Sequence, residues 1–327
     1  MTRFGYTLMT EQSGPRELVG YAADAERAGF DLLVSSDHYF PWLDSQGHAS
    51  NAWTLLGAVA QATSTVELMT YVTCPTIRYH PAVVAQQAAT LALLSEGRFL
   101  LNLGAGENLN EHVVGERWPA VGERHDMLEE ALVIIRDLLD GERVTWEGDH
   151  FRVDQAKLWD LPPAPVQIGV AVSGEQSVER FAPLADHLVA VEPDADLIER
   201  WGQAHEGAPS RTIGQVPISW DPSRDRAVER AHDQFRWFGG GWKVNADLPT
   251  TESFAAASQF VRPEDVADSI SCGPDIDAHV EAVAAFWEAG FTDVAIVQIG
   301  DEGQQRFLDE AAGPLLEALR AAAPKEE

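Results

Sequence analysis

Three lysines and two cysteines are all that this chain of 327 residues contains of either type. Cys74 and Cys272 are too few for a disulfide scaffold or a cysteine-built zinc site. No run of about 18 uncharged apolar residues occurs, which excludes a membrane-spanning helix on length grounds. The first residues enter the strand-like run Phe4–Leu8 with no signal-peptide apolar region, so a cytoplasmic protein is expected. With lysine reduced to Lys157, Lys243 and Lys325, the 23 basic residues face 52 acidic ones and the formal net charge is −29. That balance excludes a broad basic face for nucleic acid or for an anionic membrane. It fits a salt-adapted cytoplasm, and equally a GC-rich genome that trades Lys for Arg. Disorder is excluded too, because 45% hydrophobic against 23% charged residues can bury a large core.

Short apolar runs alternate with longer amphipathic segments. Strands are expected at Phe4–Leu8, Leu32–Ser36, Val66–Thr73, Phe99–Leu103, Val166–Val172, Leu188–Val191, Val216–Trp220 and Val294–Ile299. Helices are expected at Gly14–Ala28, Ala52–Ala62, Pro81–Leu94, Arg124–Leu139 and Gln304–Ala323. Eight such units, with strands apolar on both faces, predict an α/β fold: a (β/α)8 TIM barrel. The rival, an open doubly wound sheet, lacks its Gly-x-Gly-x-x-Gly turn after the first strand. Two segments interrupt the pattern. Val144–Trp159 alternates about Gly148 and reads as a hairpin inserted before strand five. Phe235–Pro274, with Gly239-Gly240-Gly241, reads as a long irregular excursion before strand eight. Neither reads as a linker, so residues 1–327 are expected to form one domain.

In such barrels the site lies where strands run out into helices. His38, at the end of strand two, can accept a proton near pH 7, or can be a structural histidine satisfied by backbone. Asp37 beside it can hold the ring or touch a cofactor, and Trp42 can wall a flat ligand or be plain core. Glu107 follows Gly104-Ala105-Gly106, where missing side chains let a ligand approach the backbone. Its carboxylate can serve as acid or base, or cap the next helix electrostatically. Glu11, after strand one, is a weaker candidate. Gly169–Ser177 runs from a strand into a helix start, a seat for phosphate or an ordinary turn. No metal is expected, because no His-x-x-x-His pair or matched carboxylate spacing is present. Neither a Gly-x-Ser-x-Gly elbow nor a P-loop occurs.

Four blocks carry a specific likeness: Ser36-Asp37-His38-Tyr39-Phe40-Pro41-Trp42, Thr73-Cys74-Pro75-Thr76-Ile77-Arg78, Gly106-Glu107-Asn108-Leu109-Asn110-Glu111 and Cys272-Gly273-Pro274-Asp275. Together they resemble the luciferase-like monooxygenase superfamily, in the branch related to deazaflavin-dependent glucose-6-phosphate dehydrogenase. The resemblance runs over nearly the whole chain, to Val297-Gln298-Ile299-Gly300. It implies a barrel with an insertion, a homodimer, a small-molecule substrate, and coenzyme F420, a 5-deazaflavin that moves hydride and carries a phosphate and a polyglutamate tail. It implies that His38 takes the substrate's proton, that Trp42 favours the charged transition state, and that Glu107 protonates the cofactor's ring nitrogen. Glu11 matches a second active-site carboxylate. Asp37, Tyr71, Val72, Cys74, Gly106, Asn110, Ser173, Gly174, Gln176 and Ser177 would line the cofactor, with a non-prolyl cis peptide near Tyr71–Val72. An FMN-using monooxygenase or reductase and a non-catalytic deazaflavin-binding protein are the alternatives.

The substrate end departs from the sugar-phosphate enzymes of that branch, where lysines and an arginine hold the phosphate. Here the corresponding stretches read Glu192-Pro193-Asp194-Ala195-Asp196, Ser253-Phe254-Ala255-Ala256 and Ala267-Asp268-Ser269, none of them basic. Glucose 6-phosphate is therefore not the expected substrate, unless Arg236, Lys243 and Arg262 fold inward. Phe235, Trp237, Phe238 and Trp242 can wall the pocket for an uncharged alcohol or carbonyl compound, or can simply anchor the excursion. Arg78 and the Gly174–Ser177 helix start are the expected local donors to the cofactor's phosphate.

Overall fold

Each barrel strand is a run of four to eight residues in which one set of side chains faces helices and the other faces the barrel axis. The computed structural model describes residues 2–324. Its strands are β1 (Arg3–Leu8), β2 (Leu32–Ser35), β3 (Glu67–Thr70), β4 (Phe99–Leu103), β5 (Val144–Glu147), β6 (Arg152–Ala156), β7 (Ile168–Ala171), β8 (His187–Ala190), β9 (Thr212–Ser219), β10 (Ser271–Cys272) and β11 (Asp293–Gln298). Eight of them pair in parallel in the order β1-β2-β3-β4-β7-β8-β9-β11, and β11 returns to β1, closing the expected (β/α)8 barrel. The two-residue β10 adds to the outer end of β9. β5 and β6 form the antiparallel hairpin between β4 and β7.

Alternation along the strands builds two cores. Phe4, Tyr6 and Leu8 of β1 and Phe99, Leu101 and Leu103 of β4 pack outward against helices. Leu32 and Val34, Met69, Leu100, Val189, Ile213 and Ala295 fill the barrel itself. Each such side chain contributes about 1.5–3 kcal/mol on burial. The lower end of the barrel is closed by charge: Arg3 and Arg211 each bridge Glu67 and Asp293 at 2.7–2.8 Å. A third core, formed by Trp42, Leu43 and Leu109 with Phe235, Phe254, Val266 and Ile270, lies over the mouth.

Three sequence expectations need correction. The strand expected at Val66–Thr73 stops at Thr70, because the Thr70 hydroxyl donates to the Asn102 carbonyl and accepts from the Asn102 N–H, replacing the ladder there. The helix expected at Gln304–Ala323 is two helices, Gln304–Glu310 and Ala312–Ala322. Pro314 explains the break, since in a continuous helix its ring would strike the Glu310 carbonyl. The excursion is mostly helical rather than irregular, with pieces at Arg236–Gly240, Trp242–Asn245, Thr251–Ala257 and Pro263–Ser269. Among the described residues no helix is long and apolar enough to cross a membrane.

Candidate active site

The pairing of β1 with β2 sets Leu8 against Ser35, so Glu11 and His38 overhang their strands by the same three residues and meet. Glu11 is sealed from solvent and held on one side: Ser36 Oγ donates to its Oε2 at 2.5 Å, and Thr10 Oγ1 does so at 3.2 Å. Its Oε1 lies 2.7 Å from His38 Nδ1, and these two buried atoms have no other partner among the described residues. The opposite ring nitrogen, His38 Nε2, faces Glu107 Oε2 at 3.7 Å, too far for a direct hydrogen bond. Three groups on three loops therefore form one line, Glu11–His38–Glu107, with a gap at its open end.

Burial alone would lower the pKa of His38, but the carboxylates of Glu11 and Glu107 outweigh it and hold the imidazole at about 9. Burial likewise would raise Glu11, yet the facing His38 and its hydrogen bonds keep it below the usual carboxylate range. Glu107 has no such close partner. Burial pushes it up to about 7, with Glu11 and Glu111 adding to the rise and His38 opposing it. Near neutral pH the line holds a histidinium between an ionised and a half-ionised carboxylate.

Glu107 is the N-cap residue of the short helix Asn108–Glu111, and its side chain makes no capping hydrogen bond. Asn110 instead donates to Glu107 Oε2 at 3.3 Å, while its own Oδ1 accepts from the backbone of Tyr39 and Phe40. One amide thus ties the His38 loop to the Glu107 turn. Gly106, at φ +81°, lies so close to Cys74 that a Cβ would stand 2.5 Å from its Sγ. Bare backbone is required there. The peptide between Tyr71 and Val72 is cis, at the position the resemblance implies. Tyr71 reaches across the barrel to donate to the Ala190 carbonyl at 2.9 Å.

Trp42 stands edge-on to His38, with ring centroids 4.9 Å apart. Its face stacks on Trp237 at 4.1 Å, and Phe254 meets it edge-to-face at 5.0 Å. Phe235 and Phe238 back Trp237. Phe235, Trp237 and Phe238 therefore gather with Trp42 in the core over the mouth, anchoring the excursion, whereas Trp242 is 38% exposed and makes no aromatic contact with Trp42.

Other sequence candidates fall elsewhere. Asp37 does not offer its carboxylate to a ligand: Arg78 and Tyr79 donate to Oδ1 and Thr73 donates to Oδ2. Nor is Arg78 a free donor, because it is buried between Asp37 and Glu111. Ser173 and Gln176 are exposed, while Ser177 Oγ accepts from Ser173 N–H and donates to the Gly174 carbonyl, shaping that turn. Arg236 and Arg262 do not restore a phosphate site. Arg236 is half-buried and donates to the Asp233 carbonyl, and Arg262 pairs with Asp265 at 2.6 Å. Lys243 points to solvent. Sequence reasoning assigned no role to Ser36 or Phe254. Position at a strand end signals the first, whereas nothing local signals the second.

The pattern of the luciferase-like monooxygenase family matches residues 1–293. The chain belongs to this family. Within the luciferase-like group it is 35% identical to the F420-dependent glucose-6-phosphate dehydrogenase of Nakamurella multipartita, over 98% of this chain and 97% of that one. It is 38% identical to the F420-dependent hydroxymycolic acid dehydrogenase of Mycobacterium tuberculosis, over 88% of this chain and 80% of that one. An F420-dependent secondary alcohol dehydrogenase, solved in complex with an F420–acetone adduct, superposes with a TM-score of 0.88 at 28% identity, covering 98% of this chain and 99% of that one.

Proposed function

We propose that this luciferase-like protein is a coenzyme F420-dependent oxidoreductase that passes hydride between the deazaflavin and an uncharged alcohol or carbonyl compound. The observation that carries this reading is the Glu11–His38–Glu107 line, whose two outward groups can each manage one proton. Hydride transfer to or from a carbinol carbon needs such a pair, one group for the substrate oxygen and one for the ring that gains or loses hydride. The bound deazaflavin supplies the hydride chemistry itself. Gly106 would give it a backbone edge free of side chains, and the turn before helix Glu175–Phe181 would face its phosphate end.

His38 holds or takes the proton of the substrate oxygen at Nε2, with Glu11 fixing the ring through Nδ1. Glu107 exchanges a proton with the cofactor's ring nitrogen. Trp42, in T-shaped contact with His38, shields the imidazole from water on that side. The apolar core of Trp42, Trp237 and Phe254 beside His38 favours an uncharged substrate, and Glu192, Asp194 and Asp196 beyond β8 repel a phosphate dianion. Assayed by loss or gain of deazaflavin absorbance, simple secondary alcohols or their ketones should exceed glucose 6-phosphate in kcat/KM by at least about 100-fold. Efficient turnover of glucose 6-phosphate would overturn the substrate class, and FMN bound to the purified protein would overturn the cofactor.

The same reading includes a homodimer acting in the cytoplasm, where the two unpaired cysteines stay reduced. Helices Ala52–Ala62 and Pro81–Leu94 pack side by side and contain no charged residue, and they expose Val83, Leu93 and Leu94. Copies bearing a charge of −29 repel elsewhere, so this neutral face is where two can meet. Light scattering should give twice the chain mass, and Val83→Glu should shift it towards one. A wild-type monomer at micromolar concentration overturns this part.

A further inference from the structure

The loop Trp42–Gly47 holds one buried polar side chain among exposed neighbours. Asp44, Ser45 and Gly47 face solvent, whereas Gln46 is turned inward and only 4% exposed. Both ends of its amide are used. Oε1 accepts from the Trp42 N–H at 2.8 Å and from the Leu43 N–H at 3.3 Å, which fixes the backbone that bears the Trp42 ring. Nε2 donates to the Gln234 carbonyl at 3.2 Å, across 188 residues of sequence.

Gln234 lies in the last turn of helix Arg224–Phe235, where carbonyls have no partner within the helix. Its carbonyl accepts a second bond, from Trp237 Nε1 at 3.1 Å. Beside it, the Asp233 carbonyl accepts from Ser45 Oγ at 3.1 Å, and Gln234 Nε2 donates back to the Ser45 carbonyl at 3.0 Å. Residues of the Trp42 loop thus cap the helix from which the excursion starts. The consequence falls on Trp42. Gln46 sets its backbone, and the shared Gln234 carbonyl sets Trp237, whose ring stacks on Trp42 at 4.1 Å with 13° between the planes. Trp42 in turn meets His38, with ring centroids 4.9 Å apart. One amide therefore serves both the tether and the stacking partner of the ring that covers His38. Only a side chain that accepts and donates at once can do both. Because Gln46 is buried, water does not readily replace either bond when it is lost.

We propose that Gln46 is a positioning residue: it holds Trp42 against His38, ties the excursion to the Trp42 loop, and so shapes the place where the substrate binds. The inference rests on the oxidoreductase reading above. Two variants divide the roles of the amide. In Gln46→Glu an ionised carboxylate still accepts from Trp42 and Leu43, but it cannot donate to Gln234, and it faces the negative end of helix Arg224–Phe235. Gln46→Met keeps the length and volume of the side chain and loses every bond. In Gln46→Glu, KM for a secondary alcohol should rise about tenfold, the scale of one buried hydrogen bond, while kcat stays within about threefold and F420 affinity within about twofold. Gln46→Met should raise KM further. An unchanged KM in both variants, whether or not the melting temperature falls, makes Gln46 at most a brace of the fold and overturns the proposal. So does weakening of F420 by the same factor as the substrate, because the effect is then not confined to Trp42. Hydrogen–deuterium exchange tests the tie without turnover. Exchange at residues 233–240 should quicken in Gln46→Glu, and at residues 42–47 as well in Gln46→Met. Unchanged exchange at 233–240 in Gln46→Glu means that no tie exists, and overturns the proposal. If wild type turns over neither alcohols nor ketones, the oxidoreductase reading fails, and exchange at 233–240 decides the tie on its own.

Discussion

Replacing His38 with glutamine should cut turnover by about 10²- to 10⁴-fold, the range for losing a positioned acid–base group, while F420 affinity changes less than about threefold. The separation follows from how the two ring nitrogens are used. Nδ1 is committed to Glu11 at 2.7 Å, so the imidazole is already held before any ligand arrives. Nε2 faces the gap towards Glu107, where a substrate oxygen would stand. Its loss therefore removes a proton path, whereas the Gly106 backbone and the Ser173–Ser177 turn, where the cofactor is proposed to sit, are untouched. Glutamine is the informative variant because its amide can still donate to Glu11. Alanine would leave that carboxylate buried beside no cation, and breaking a buried pair in this way costs about 3–5 kcal/mol. The measurement is a pair of numbers for one variant: kcat for an alcohol or ketone, and the dissociation constant for F420. A parallel loss in both would mean that His38 builds the cofactor pocket, and would favour a deazaflavin-binding protein over an enzyme.

The parts of this site that were legible in the sequence are those fixed by position along one strand. His38, Trp42 and Glu107 each follow a short apolar run, and the rule that barrel chemistry gathers at strand ends finds them without knowing how the strands pair. Glu11 was undervalued because its importance comes from register: only the pairing of Leu8 with Ser35 brings it to His38. Asp37 illustrates the converse: it stands beside His38 in the sequence, but Arg78 and Thr73, more than thirty residues away, donate to its two oxygens, and nothing local signals that. The helix break at Pro314 was readable in principle, since a proline clashes with the carbonyl four residues earlier, yet the surrounding alanine and leucine run hid it.

Glu11→Gln should change the pH profile more than any other single substitution. On the proposed mechanism, carbonyl reduction would draw on His38 protonated at Nε2 and Glu107 ionised. With His38 at about 9 and Glu107 at about 7, that form dominates between those two values. The wild-type rate should therefore be bell-shaped with its maximum near pH 8, about midway, its acid limb set by Glu107 and its basic limb by His38. The position of the basic limb depends on Glu11. Burial on its own lowers the pKa of His38, and the close Glu11 carboxylate is the largest influence raising it. A neutral glutamine keeps the size and the hydrogen-bonding reach but removes that charge, so burial prevails and the pKa of His38 falls. The basic limb should then move down by roughly one to two pH units, towards the acid limb. The bell narrows, and its peak height falls as the two limbs overlap. The acid limb should move little or slightly downward, because Glu11 also helps to raise Glu107. Rates of ketone reduction at pH 6–10 for Glu11→Gln and wild type, with reduced F420 and ketone both saturating, give both limbs. A basic limb that stays near 9 in the variant would show that Glu11 only holds the ring in place and does not set its charge.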